Sequence, residues 1–197
     1  MGGHLSSGQG STSGARVVAP YGSWRSPITA RLIAEAGIGL GCLQVAGGSL
    51  FWVEMRPLEG GRYVIVRRAP DGPVADVIPA GRNARTLVHE YGGGMYAVHA
   101  AGRDPYPHSD PNPDPGLTVV WSEFADQRLY RTDLLPDGSW SEARALTPEP
   151  PAPRSVRYAD GRVSPDGRTL YCVRERHEGD EVANELVAVP TDGSAAG

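Results

Sequence analysis

Three near-copies of one short pattern constrain this chain more than any other feature. In its clearest form, residues 164–193, the pattern reads SPDGRTLYCVRERHEGDEVANELVAVPTDG. Pro165-Asp166-Gly167 is a turn sequence, because proline presets its φ angle and glycine supplies a positive one. Residues 169–173 then read as a strand, rich in β-branched and aromatic side chains. A charged connection, 174–182, leads to a second apolar run at 186–189, and Asp192-Gly193 closes the unit. Turn, strand, polar loop, strand, turn is a β-hairpin.

The same unit stands twice upstream. TLYCVR from Thr169 aligns with TVVWSE from Thr118 and SLFWVE from Ser49. Each copy begins with a hydroxyl residue, places an aromatic or cysteine fourth and ends in a charge. RYVIVRRAPDG (62–72) and RLYRTDLLPDG (128–138) reach their Asp-Gly after the same number of residues, and NELVAVPTDG is a slightly shorter version. Repeats of roughly 40–50 residues, each giving about four short strands, have the period of propeller blades. The predicted fold is all-β: an incomplete β-propeller of about three blades of four-stranded antiparallel sheet, with one short N-terminal helix. An irregular sandwich is the alternative.

Along the chain, residues 1–18 form a Gly/Ser-rich leader and residues 19–197 the partial propeller, with blades at 38–82, 92–147 and 158–197. Ser26 before Pro27 reads as a helix N-cap with proline at the first helical position, and Gly37 as the residue just past the end, predicting a helix over 27–36. Strands are expected near 43–46, 50–54, 63–68 and 74–78 in the first blade, and at 117–123 and 129–133 in the second. Residues 104–115, DPYPHSDPNPDP, form a Pro-rich insertion. Asp110, Asn112 and Asp114 mimic the opening of a calcium loop, but Pro115 stands where the turn needs glycine and Trp121 where the last ligand should be. Residues 146–153, LTPEPPAP, read as an interblade linker.

Composition agrees with turn-dense β structure: 26 glycines and 18 prolines beside 40% apolar residues. A net charge of −4 gives no electrostatic reason to expect nucleic acid or an anionic membrane. All 19 basic residues are arginine, a coding bias and not a binding signal. No apolar run has the length of a membrane span and the first residues lack a signal peptide's apolar core, so a cytoplasmic protein is expected. Cys42 and Cys172 lie in different repeats and apolar contexts, and are expected to be buried free thiols.

The densest unusual segment is RTLVHEYGGGMY, residues 85–96. Three consecutive glycines after an aromatic imply backbone in conformations other residues avoid, or backbone closely approached by another group. His89, Glu90, Tyr91, Gly92, Gly93 and Gly94 are therefore the candidate site residues, either in contact with substrate or bracing a loop between blades. No second histidine stands at a ligand spacing around His89, so no metal and no cofactor is expected. Nucleophile-elbow, P-loop, GxGxxG, HExxH and paired-cysteine motifs are all absent. The nearest to an elbow, Gly10-Ser-Thr-Ser-Gly14, has threonine at the nucleophile position. The chain carries no catalytic residue of its own on this reading, and nearly three blades are fewer than the about four to eight with which propellers close.

APYGSWRSPITARLI, WVEMRPLEGGRYVIVRR, NARTLVHEYGGGMYAV, FADQRLYR and RYADGRVSPDGRTLYCVRERHEG together resemble the N-terminal propeller part of a prolyl-oligopeptidase (S9) serine peptidase, of the bacterial dipeptidyl aminopeptidase or acylaminoacyl peptidase type. The likeness runs from about Ala19 to Gly193, and VHEYGGG at 88–94 is its most specific phrase. It implies a propeller followed by an α/β-hydrolase domain that carries a Ser-Asp-His triad, with the propeller restricting access to short peptides. The hydrolase domain is absent from this sequence, so the resemblance implies a substrate-gating segment, inactive alone, whose partner is peptide substrate held through that domain. Some relatives use propeller carboxylates to hold a substrate's amino terminus; Glu54, Glu90 and Glu123 are candidates, Glu90 first among them. Two other readings stay open: a non-enzymatic propeller-type binding module, and a propeller enzyme of another class, such as a lactonase, with metal carboxylates in its channel.

Overall fold

The structure, a computed structural model, describes residues 18–23, 26–35, 37–101 and 116–196. The leader, apart from its last residue, and the Pro-rich insertion at 104–115 lie outside them. Two compact units divide after Ala34. In the first, the helix α1 (Ala30–Glu35) begins later than predicted. Thr29 caps it: the Leu32 N–H donates to Thr29 Oγ1 at 3.0 Å, and the Ile33 N–H to the Thr29 carbonyl at 3.0 Å. Ser26 accepts from the Ile28 N–H in a local turn, so its hydroxyl is spent before the helix starts.

The second unit is three antiparallel sheets. The first takes β1 (Gly39–Ala46), β2 (Ser49–Arg56), β3 (Arg62–Arg68) and β4 (Val74–Asp76). The second takes β5 (Tyr96–Ala100), β6 (Leu117–Ser122), β7 (Leu129–Asp133) and β8 (Arg144–Ala145). The third takes β9 (Val156–Val163), β10 (Thr169–Glu178) and β11 (Glu181–Pro190). Within each sheet every strand lies beside its neighbour in sequence. The first strands β1, β5 and β9 adjoin one another across the sheets, which makes them the innermost strands of a partial propeller. The aligned hexapeptides occupy one structural position, β2, β6 and β10.

Turn chemistry sets the hairpins. Gly47 and Gly48, at φ 54° and 76°, join β1 to β2 in the left-handed pair a two-residue hairpin demands. The charged connection predicted at 174–182 is instead strand nearly throughout. β10 and β11 pair without a break from Thr169↔Pro190 to Glu178↔Glu181, turning at Gly179 and Asp180. Ion pairs do here what apolar pairs do elsewhere: Arg174 and Arg176 both reach Glu185 across the hairpin, and Arg176 also holds Glu178.

Two apolar clusters join the sheets. Phe51, Val53, Ile65 and Val66 of the first sheet meet Tyr96, Val119 and Trp121 of the second. On the other face of the second sheet, Ala97, Val120 and Leu129 meet Tyr158, Leu170, Cys172 and Val189 of the third. All six residues of β6 are buried, because the middle sheet is covered on both faces. Each fully buried Val or Leu side chain there contributes about 1.5–3 kcal/mol.

One tie recurs in the first two blades. The Trp52 indole N–H donates to Glu54 at 3.1 Å, and the Trp121 indole N–H to Glu123 at 3.3 Å, each pair sharing a strand face at i and i+2. Glu123, buried at 2% exposure, also accepts the Asn83 N–H and so ties the crossing between blades to β6. Burial raises its pKa against those hydrogen bonds and the nearby Arg82.

The cysteine expectation holds for one residue only. Cys172 is buried and free, and burial pushes its thiol up to about 12. Cys42 is free but exposed. It sits at φ 54° in a bulge where the β1–β2 register shifts between Gly41 and Gln44, its Sγ 3.5 Å from Met95 Sδ.

Candidate functional site

Leu87 is clamped between two blades. Its N–H donates to Gln127 Oε1 at 2.7 Å, in the turn after β6, and its carbonyl accepts Arg157 Nη1 at 2.8 Å, from β9. The chain then folds into a tight loop, with the Glu90 N–H bonded to the Leu87 carbonyl and the Gly92 N–H to that of Val88, both at 2.9 Å. His89, Glu90 and Gly92 all have positive φ, at 56°, 61° and 88°. Three left-handed residues in four turn the loop outward, and Tyr91 at its apex is 98% exposed.

Glu175, on β10 and 1% exposed, anchors the loop. Its Oε2 accepts the His89 N–H at 2.8 Å and lies 3.4 Å from His89 Nδ1. Its Oε1 meets His177 Nε2 at 2.7 Å and accepts Arg157 Nη1 at 3.2 Å. The same Arg157 nitrogen reaches Glu90 Oε1 at 2.6 Å. Burial works to raise the Glu175 pKa, but the hydrogen bonds from His177 and the His89 main chain, with Arg157 beside them, hold it below the usual carboxylate range.

The last two glycines of the loop meet β9, where Asp160 bulges at φ 57°. The Gly94 N–H donates to Asp160 Oδ1 at 2.7 Å, and the Asp160 N–H to the Gly94 carbonyl at 2.8 Å. A Cβ on Gly94 would stand 2.8 Å from Asp160 Oδ1, and one on Gly93 3.0 Å from the Ala159 Cβ. These glycines are close-approach residues. On the other side of β5, the Gln44 side-chain amide acts as a surrogate peptide group: Nε2 donates to the Tyr96 carbonyl at 3.0 Å and Oε1 accepts the Val98 N–H at 3.3 Å. The Tyr96 hydroxyl donates to the Cys42 carbonyl at 2.5 Å. The three innermost strands thereby border an open cleft of about 450 Å³, lined by Cys42, Leu43, Gln44, Val45, Gly94, Tyr96, Asp160 and Arg162.

Of the six candidate residues, His89 and Glu90 are drawn to Glu175 and Arg157, while Gly93 and Gly94 are drawn to β9. Gly92 shapes the turn and Tyr91 stands clear. The sequence reading missed Arg157, Asp160, Glu175 and His177. Two signals were available: Asp160-Gly161 inside an apolar run, which marks a bulge, and Glu175 and His177 at i, i+2 on one strand face. Among the described residues, no group of three or more His, Cys, Asp or Glu is placed to hold a metal ion, and no hydrogen bond joins a histidine ring to a serine or cysteine. No helix among them is long and apolar enough to cross a membrane.

No protein-family profile matches the chain, and no curated protein does. Solved structures do. A Mycobacterium tuberculosis puromycin-hydrolyzing peptidase is similar at 37% identity and TM-score 0.74, over 92% of this chain and 26% of its own. A puromycin hydrolase is similar at 36% identity and TM-score 0.75, over 90% and 26%. In sequence and fold the chain is similar to the N-terminal propeller part of prolyl-oligopeptidase-type serine peptidases. A mutant of puromycin hydrolase complexed with PGG is similar to the same extent, at 36% identity and TM-score 0.74, over 90% of this chain and 26% of its own. The chain spans about a quarter of the length of each of these peptidases.

Proposed function

We propose that this propeller segment screens the substrates of a serine peptidase acting on short peptides and on aminoacyl amides related to puromycin, and that it has no hydrolytic activity by itself. The likeness to puromycin-hydrolyzing peptidases over nine-tenths of the chain, at 36–37% identity, carries the reading. The chemistry would be acyl transfer: serine attack with histidine as general base and an oxyanion hole of backbone N–H groups. The serine, its base and the oxyanion donors would come from an α/β-hydrolase domain joined to this segment. The segment's own contribution would be a rim: the clamped loop 87–94 beside the open cleft, presenting Tyr91, so that a peptide must be short and extended to pass.

An antibody raised to this segment, used on source-cell extracts treated with a serine-reactive fluorophosphonate, tests the reading. A labelled band far above 20.9 kDa is expected, with hydrolysis of puromycin by that species and none by the 197-residue chain. An unlabelled band at 20.9 kDa overturns it in favour of a binding module.

A further inference from the structure

Strand register assigns each residue of β2, β6 and β10 to one of two sheet faces, and the apolar clusters show which face meets which neighbour. Phe51 and Val53 of β2, with Ile65 opposite Val53 on β3, point forward into the second sheet, against Val119 and Trp121. Val120 and Ser122 of β6, with Leu129 opposite Ser122 on β7, point forward into the third. There Val120 packs with Leu170 and Cys172, and the Ser122 hydroxyl donates to the Tyr158 carbonyl at 2.6 Å. Both junctions set the third and fifth positions of one hexapeptide against the second and fourth of the next.

The two end faces carry the same chemistry and stay open. On the forward face of the third sheet stand Tyr171 and Val173, with Ala188 and Leu186 opposite them on β11. Leu186 is the counterpart of Ile65 and Leu129 by register; those two are buried, whereas Leu186 is 87% exposed. Tyr171, the counterpart of the buried Phe51 and Val120, is 57% exposed. On the backward face of the first sheet stand Leu50 and Trp52, with Val45 opposite Leu50 on β1. Leu50 is the counterpart of the buried Val119 and Leu170 but is 39% exposed, and Val45 is 70% exposed.

We propose that these end faces dock on each other between two copies of this chain, the third sheet of each against the first sheet of the other. The occupant follows from what the molecule leaves over. A forward face fits a backward face, as both internal junctions show, and among the described sheets the backward face left open is the first sheet's. One copy has three sheets, fewer than the about four to eight with which a propeller closes, so its own two end faces do not meet. Two copies bring six sheets, a number that closes, and a two-fold axis forms both junctions at once. The proposal concerns the 197-residue chain and does not rest on the peptidase reading.

Sedimentation equilibrium of the 197-residue chain, from micromolar to hundreds of micromolar, tests it. A mass of twice 20.9 kDa is expected at the upper end, with a plateau there. Leu186→Asp and Val45→Asp, one on each face, should each weaken the dimer at least about tenfold. Both side chains are exposed within one copy, so each variant should keep the circular dichroism spectrum of the dilute parent chain. Mixing the two variants restores one intact junction, and the mixture should associate more tightly than either variant alone. A monomer at every concentration overturns the proposal. So does a mass that climbs past two copies, which means an open head-to-tail array. A dimer that Leu186→Asp disrupts and Val45→Asp leaves intact overturns it as well, because forward faces would then be meeting each other.

Discussion

Asp160 and Gly94 hold each other by two hydrogen bonds, main chain to main chain at 2.8 Å and main chain to carboxylate at 2.7 Å. The pair locks β9 to the segment entering β5, and no side chain fits between them. Gly94→Ala should destabilise the chain by about 1–3 kcal/mol, the usual cost of overpacking. Urea unfolding gives the number, and an Asp160→Gly background gives the cause. There the cost should fall to about half or less; the same cost in both backgrounds places the strain elsewhere.

Glu175 sets an acid dependence. Its folded pKa lies below the usual carboxylate value, so the unfolded chain takes up the proton first. The stabilisation it provides is present above about 4.5 and is lost as pH falls through the folded value. Glu175→Gln should cost about 3 kcal/mol at neutral pH, because Arg157 and the two histidines lose a buried partner. The gap between the two proteins should close in melts taken at progressively lower pH. A gap constant down to strong acid contradicts the assignment.

Glu123 works with the opposite sign. Its pKa is raised by burial, so its contribution is largest below the ordinary carboxylate pKa and is lost as pH rises through the folded value. A nuclear magnetic resonance titration of the two carboxyl carbons should find Glu123 above the usual carboxylate range and Glu175 below it. The reverse order would show that the packing around one of them is misassigned.

The two thiols should separate by accessibility. Iodoacetamide should modify Cys42 in the native chain, slowly and faster as pH rises because its pKa is raised. Cys172 should react only after unfolding. Mass spectrometry of the alkylated peptides decides it, and equal native rates would mean that the third sheet opens readily.

Trp121→Phe and Trp52→Phe remove the same bond from different surroundings. The first leaves a fully buried carboxylate short of a donor and should cost about 2–3 kcal/mol. The second, half-buried beside a Glu54 that Arg56 also holds, should cost about 1 kcal/mol. Equal costs would remove burial as the cause.

Most of the architecture was legible because the hairpin repeat is a local pattern. Ser49, Thr118 and Thr169 mark the same position in three sheets, and Asp-Gly turns follow at similar intervals. The third hairpin is longer than its sequence suggests, because Arg174, Arg176 and Glu185, charges typical of a loop, pair across it. β9 was missed in part because Asp160-Gly161 interrupts its alternation. The VHEYGGG loop stood out through its glycines, but its anchors did not. Glu175 is 86 residues from His89, and nothing local in a chain records a partner at that distance.

The order of strands within each sheet bears on how the molecule assembles. Because every strand pairs with its sequence neighbour, loop closure within a sheet is short and fast. The ties between sheets at Gln44, Asn83 and Asp160 close over much longer stretches. Individual blades should therefore form before they dock. Loss of a docking bond should then release the first or third sheet as a unit and leave the middle sheet last to exchange its amide protons.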